Sequence, residues 1–190
     1  MGYTAFDRFV ARQRFRAALP YVKPQSRVCD VGCGIEAAFL DFAAARIASG
    51  TGIDDQVADG TGGQWTRIRA DITNRLPVED ASFDHVVMLA VLEHLREPEP
   101  VLRETFRALA PGGSLIMTWP QSVVDPILGV LHKIGMVSGE MESEEHQRRV
   151  PVADLISMLK EIGYVEFLHR RFEVGLNNIL VATKADRGHS

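Results

Sequence analysis

Two glycines bound what chemistry this chain can do. Gly32 and Gly34 follow the run Val28-Cys29-Asp30-Val31 and precede an alanine-rich stretch that begins at Ala37. A strand that stops at Gly32 and turns through Gly34 into a helix leaves the first helical N–H groups unpaired and facing an open crevice. Glycine suits that turn because the backbone angles are unusual and a Cβ would keep a ligand from the main chain. A nucleotide-like cofactor is the usual occupant of such a place. Gly32, Gly34 and Ala37 also fit the spacing G-x-G-x-x-G/A, which alone is a weak signal. Acidic residues that could complete the site stand where later apolar runs end: Asp54 and Asp55 after Ile53, and Asp71 after Ala70. Asp54 falls about 20 residues past the glycine turn, where a carboxylate can accept both hydroxyls of a ribose, with Asp55 as its rival.

Positioning these residues requires strands that all end at one edge. The pattern predicts strands at Val28–Val31, Ala48–Ile53, Trp65–Ala70, Phe83–Leu89 and Ser114–Trp119, the fourth continuously apolar as suits a central parallel strand. Helices are predicted at Ala37–Arg46, with Phe39, Leu40 and Phe42 for burial, and from Pro98 to a stop at Pro111-Gly112-Gly113. Gln56–Gln64 is short and glycine-rich, so it reads as a loop or single turn rather than a full crossover helix. A helix Val152–Ile162 closed by Gly163 precedes two strands, Tyr164–Phe172 and Asn177–Lys184, which a turn near Gly175 makes antiparallel neighbours. This rhythm means a doubly wound, Rossmann-like α/β sheet of about seven strands, mostly parallel with an antiparallel last strand, and with helices on both faces.

The 190 residues are read as a single domain. Residues 1–24 form an N-terminal helix, with Phe6, Phe9, Val10 and Ala17 on its apolar side and Arg8, Arg12 and Arg16 on another. It covers a sheet edge or acts as a flap over the substrate mouth. Residues 121–150 break the rhythm and read as a lid, and residues 185–190 as a loose tail. A net charge of -4 argues against nucleic acid as a partner. The longest apolar run, Val86–Leu92, is too short to insert into a membrane. No signal peptide is legible, and two cysteines, Cys29 and Cys33, are too few for a disulfide framework or a zinc site, which points to a reducing cytoplasm.

Four motifs in order resemble the class I S-adenosylmethionine-dependent methyltransferases over about Val28 to Lys184. Val28 through Gly34 is similar to the first motif and Gly50-Thr51-Gly52-Ile53-Asp54 to the second. Leu76-Pro77 through Ser82-Phe83-Asp84 to Leu92-Glu93-His94-Leu95 is similar to the third. Leu109-Ala110-Pro111-Gly112-Gly113-Ser114-Leu115 resembles the turn before the fifth strand. The subgroup implied contains ubiquinone- and menaquinone-type methyltransferases and glycan- or small-molecule-modifying relatives. The resemblance implies S-adenosylmethionine as cofactor, bound by Asp30, Gly32, Cys33, Gly34, Asp54 or Asp55, Asp71, Ile72, Leu89 and Ala90. Asp30 would face the amino group, Asp71 and Ile72 the adenine, and Leu89 and Ala90 the methionine part. The family's pattern often has a glycine where Glu36 stands.

Methyl transfer needs an aligned acceptor and sometimes a proton taken from it. His94 and His146 are the candidate bases. The alternative for His94 is to orient its loop by hydrogen bonding, and for His146 to bind an anionic acceptor or to have a plain surface role. The acceptor implied is a small molecule or a glycan-type group. Two other readings use the same turn: an NAD(P)-dependent oxidoreductase, which the absence of a Tyr-x-x-x-Lys pair disfavours, and a non-catalytic S-adenosylmethionine binder. No metal and no particular oligomeric state are expected from the sequence.

Overall fold

The structure is a computed structural model that describes residues 5–121 and 150–186. Its strands are β1 (Arg27–Val31), β2 (Ser49–Asp54), β3 (Gly60–Gly62), β4 (Trp65–Arg69), β5 (Phe83–Leu89), β6 (Leu109–Pro120), β7 (Tyr164–Phe172) and β8 (Asn177–Lys184). They form one eight-stranded sheet in the order β3-β4-β2-β1-β5-β6-β8-β7. β4, β2, β1, β5 and β6 run parallel, and β8 is antiparallel to both of its neighbours. From β1 the chain builds outward through β2 and β4, then returns to add β5 and β6 on the other side. The order therefore reverses between β1 and β5, and the carboxyl ends of those two strands leave a crevice.

Helices α1 (Ala5–Ala18) and α2 (Ala38–Ala43) cover one face of the sheet, while α3 (Pro98–Ala108) and α4 (Val152–Ile162) cover the other. Alternation along the strands supplies both cores. Cys29, Val31, Val86, Met88, Leu115 and Met117 face α3 and α4, whereas Val28, Val87, Ile116 and Ile179 face α1 and α2. On the first side Thr105 of α3 and Tyr164 of β7 share a buried hydroxyl hydrogen bond of 3.0 Å, and Gly163 closes α4 with φ +121°. Arg107 of α3 reaches back to the segment before β5. Its guanidinium donates to the Leu76 and Val78 carbonyls, Asp80 and Glu104, and Glu104 also accepts from the Leu76 amide. No helix among the described residues is long and apolar enough to cross a membrane.

Several expectations are corrected. The sheet has eight strands rather than about seven, because Gln56–Gln64 contains β3, which folds back antiparallel on β4. Glycines at 60 and 62 disfavour a helix through their backbone freedom, and the segment, expected as a loop or single turn, instead supplies an edge partner for β4. The predicted helix from Ala37 contracts to Ala38–Ala43, with Phe42 37% exposed. Pro111-Gly112-Gly113 is not a free stop. β6 begins at Leu109 opposite Phe83 and resumes pairing at Ser114 opposite His85, so Ala110 to Gly113 bulge within the strand. On α1, Arg8, Arg12 and Arg16 are exposed as the spacing requires, but Phe9 is 56% exposed beside them while Asp7 and Ala18 are buried. The helix is rotated so that its inward row is Asp7, Arg14 and Ala18, the row of successive turns opposite the arginines.

The buried histidine of β5 gives a prediction about stability. His85 is 1% exposed, and its Nε2 accepts the Lys23 amide at 3.0 Å, which needs the neutral ring. Burial first, then the nearby Lys23 charge, pushes its pKa down to about 4. Between about 4 and 6.5 the unfolded chain therefore holds a proton that the folded chain does not, so stability falls as pH drops through that window. Relative to His85→Phe, the wild type should lose about 2 kcal/mol between pH 7 and pH 4.5, measured by urea unfolding. Parallel pH curves for the two proteins would contradict it.

Candidate functional site

The glycine turn closes the carboxyl end of β1. Gly32 has φ +75°, and a Cβ there would come within 2.5 Å of the Val91 side chain, which follows β5. Gly52 of β2 is equally constrained, since a Cβ would lie 2.8 Å from Cys33 Sγ. The turn thus nests between the ends of β2 and β5 with no room for side chains beneath it. The third special position is Ala37, which is buried with φ +48°, whereas Glu36 is exposed.

The turn's amides are more fully used than the sequence implied. Gly32 and Cys33 donate to the Ile53 carbonyl at 2.8 and 3.3 Å, and Gly34 donates to Asp54 Oδ2 at 2.9 Å. Asp54 Oδ1 accepts the Gln56 amide at 2.9 Å. One carboxylate thereby ties the end of β2 to the glycine turn, and it keeps further lone pairs for a ligand. Asp55 is exposed; its carbonyl accepts from Arg69 Nε at 2.9 Å.

Asp30 lies one residue before the end of β1 and is 2% exposed. Burial, and then the neighbouring Asp54 charge, push its carboxyl up to about 8, so it is mostly protonated at neutral pH. Burial likewise raises the Cys33 thiol, with Asp30 and Asp54 adding to the effect, which makes this cysteine a packing residue rather than a nucleophile.

Asp71 occupies the end of β4 as expected, but it caps its own turn. Oδ1 accepts from the Thr73 amide and hydroxyl at 2.8 and 2.7 Å, and Oδ2 from Asn74 at 2.9 Å. The Thr73 hydroxyl and then its amide hold this exposed carboxylate below its ordinary range. Ile72 is half-buried and packs on the core under α3. Leu89 ends β5 half-buried, and Ala90 turns with φ +61°, its amide donating to Thr118 of β6 at 2.9 Å. His94 ends the single helical turn Leu92–His94 directly after β5 and is exposed near the crevice. His146 and the expected lid, apart from Gln121 and Val150, lie outside the described residues.

The structure adds groups that no spacing announced. At the carboxyl end of β6, Trp119 stacks on His169 of β7 at 6.3 Å between ring centres. His169 Nε2 is 3.0 Å from Asn178 Oδ1, which also accepts from Gln121. On the opposite face Asn177 donates to Glu173 in the β7–β8 turn, and burial raises the Glu173 carboxyl against the opposing influence of Arg14 and Asn177. These residues come from distant parts of the chain. The sole hint was Asn177-Asn178, two amides opening an otherwise apolar strand. A cavity of about 470 Å³ bordered by Thr51, Ile68, Leu76, Pro77 and Phe83 opens beside the middles of β2 and β4, away from the strand tips.

Comparison with known proteins matches residues 29–117 to a family described as a methyltransferase domain. The chain is 31% identical over 112 residues to cycloartenol-C-24-methyltransferase 1 of Oryza sativa subsp. japonica, covering 53% of this chain and 32% of that protein. It is 30% identical over 145 residues to the ubiquinone biosynthesis O-methyltransferase of Idiomarina loihiensis, covering 70% and 58% respectively. The chain thus spans from about a third to under two thirds of these relatives' lengths. A crystal structure of a SAM-dependent methyltransferase from Archaeoglobus fulgidus superimposes with a TM-score of 0.71 at 16% identity, covering 93% of this chain and 94% of that one. At that identity the likeness is one of fold.

Proposed function

We propose that the chain, whose residues 29–117 match a methyltransferase-domain family, is a class I S-adenosylmethionine-dependent methyltransferase, an enzyme methylating a small-molecule or glycan-type acceptor at oxygen, nitrogen or carbon. The observation that carries this reading is the pairing, at the sheet's switch point, of a carboxylate clasping the glycine turn with a second, buried acid beside it. The residues present fit the cofactor. Gly32 and Gly52 let the turn close against Val91 and Cys33 where a Cβ would clash, Asp54 has lone pairs left for ribose hydroxyls, and Asp30 offers a buried carboxyl to an ammonium group. When bound, that cofactor supplies a methyl group on a sulfonium, open to displacement by the acceptor.

The protein's part is orientation and exclusion of water. Leu89 and Ala90 form the floor toward β6, and Asp71 with Ile72 flanks the adenine end, where the hairpin β3–β4 replaces a helix and leaves the rim open. In this reading His94 takes a proton from an oxygen or nitrogen acceptor. A reducing, cytoplasmic setting suits the free cysteines Cys29 and Cys33, and the reading takes the chain as one domain without nucleic acid as substrate.

Calorimetric titration with S-adenosylhomocysteine and with NAD tests the assignment. Saturable binding of the first and none of the second is expected; the reverse would establish the oxidoreductase reading instead. Cofactor binding without methyl transfer in any cell extract would leave a binding protein. Full single-turnover rate in His94→Ala would remove His94 as the base.

A further inference from the structure

Three polar atoms, two of them near the carboxyl end of β6 and the amino end of β8 and one on α1, are buried and have no hydrogen-bond partner among the described residues: Thr118 Oγ1, Asn177 Oδ1 and Arg14 Nε. Thr118 and Asn177 are 0% and 4% exposed. They project from the same face of the sheet. Thr118 pairs with Ile179, and Asn177 lies two residues before Ile179, opposite Pro120. Diagonal neighbours of this kind sit about 7–8 Å apart, close enough for one small ligand group to reach both. This is the face covered by α1, for Ile116 and Ile179 pack in one cluster with Ala18 and Phe15. Arg14 belongs to that helix, and its charge acts on Glu173. Glu173 in turn holds Asn177 Nδ2. The place adjoins the crevice, because Thr118 pairs with Leu89 at the end of β5.

Leaving a buried donor or acceptor unpaired costs about 1–3 kcal/mol, and the register of Thr118 with Asn177, with Glu173 linking Asn177 to Arg14, makes these groups candidates to share one ligand group. Their chemistry says what kind. With its amide nitrogen committed to Glu173, Asn177 offers only a carbonyl oxygen, so the guest must donate a hydrogen bond. Arg14 Nε offers only N–H, so the guest must also accept one. The Thr118 hydroxyl can do either. A carboxylate has no proton for Asn177, and an ammonium has no lone pair for Arg14. Arg14 and Glu173 oppose each other in charge, which leaves nothing to recruit an ion. A neutral hydroxyl satisfies every member.

We propose that Arg14, Thr118, Asn177 and Glu173 form the subsite, roofed by α1, that holds a neutral hydroxyl group of the methyl acceptor. The assignment to the acceptor rests on the methyltransferase reading above. Glu173 is a positioning residue, fixing which end of the Asn177 amide faces the guest.

The test uses the full chain, labelled with nitrogen-15 and first titrated with S-adenosylhomocysteine. Phenol is then added as the hydroxyl probe, with toluene and benzoate as controls, while the Asn177 side-chain amide and Thr118 backbone signals are followed. Phenol should move both signals saturably and the controls should not. Thr118→Val, nearly isosteric and at home in a strand, should weaken phenol binding roughly threefold to tenfold, the worth of one hydrogen bond. Signals that stay still with phenol, or move equally with toluene or benzoate, would overturn the subsite. So would phenol binding that is unchanged in Thr118→Val. Failure of S-adenosylhomocysteine to bind, with the phenol shifts intact, would instead remove the acceptor assignment by removing the methyltransferase reading under it.

Discussion

Asp54→Ala is expected to weaken S-adenosylhomocysteine binding by about 2–4 kcal/mol, roughly 30- to 1000-fold, and to destabilise the protein as well. The size follows from the two jobs the side chain does. One is the proposed grip on the ribose diol, where each bond to an ionised carboxylate is worth about 1.5–3 kcal/mol. The other is architectural: Asp54 accepts the Gly34 and Gln56 amides, and its loss leaves the glycine turn tethered at this end only through the Ile53 carbonyl. Alanine removes both functions together, so thermal stability should fall along with affinity. Asp54→Asn keeps one acceptor oxygen and should lie between the two proteins in both measurements. An alanine variant that melts early but binds with undiminished affinity would show that the carboxylate only holds the turn.

Cofactor binding should also release a proton. In the free protein Asp30 has a pKa of about 8, raised mainly by burial and further by Asp54, so near pH 7 it is mostly a neutral acid. An ammonium group brought against it favours the carboxylate, which must then give up its proton. Affinity should therefore rise with pH, by up to roughly tenfold per unit between pH 6 and 8, and level off near 8. Titration calorimetry in buffers of different ionisation enthalpy should detect close to one proton released at pH 6.5. Asp30→Asn should bind with little pH dependence and no release. A wild-type affinity that is flat across this range would place the ligand's cation elsewhere. The same acid acts in the opposite sense on the stability of the free protein. Between about pH 4 and 8 the folded form retains a proton that the unfolded chain has lost, so this contribution diminishes as pH rises. It runs against the His85 effect, which is why that effect is to be read as a difference between wild type and variant.

Much of the layout was legible because it depends on local pattern. Apolar runs of strand length ending in glycine or aspartate placed β1, β2, β4 and β5 within a residue or so, and Gly163 and Gly175 marked the ends that the fold uses. The alternation of these runs with helical stretches left few topologies other than a doubly wound sheet. The motif residues around the glycine turn could be found because they lie at fixed short distances from strand ends, and strand ends in a parallel sheet share one edge.

What lay beyond the sequence depends on contacts between distant segments. Nothing local says that the Asp71 carboxylate closes on Thr73 and Asn74, or that Gly60 and Gly62 pair with β4 instead of forming a loop or single turn. The rotation of α1, which buries Asp7 and turns Arg14 inward while exposing Phe9, was decided by the sheet face it covers, since its own apolar periodicity is weak. Asp30 keeps its proton first because the fold buries it and then because Asp54 lies nearby, and Thr118 and Asn177 become diagonal neighbours only once β8 pairs with β6. The sequence by itself determined the sheet, the glycine turn and a nucleotide-like cofactor to look for, because those rest on periodicity and spacing. Tertiary structure alone decided which polar groups were left buried and unpaired, because pairing is a property of neighbours in space and not of neighbours in the chain.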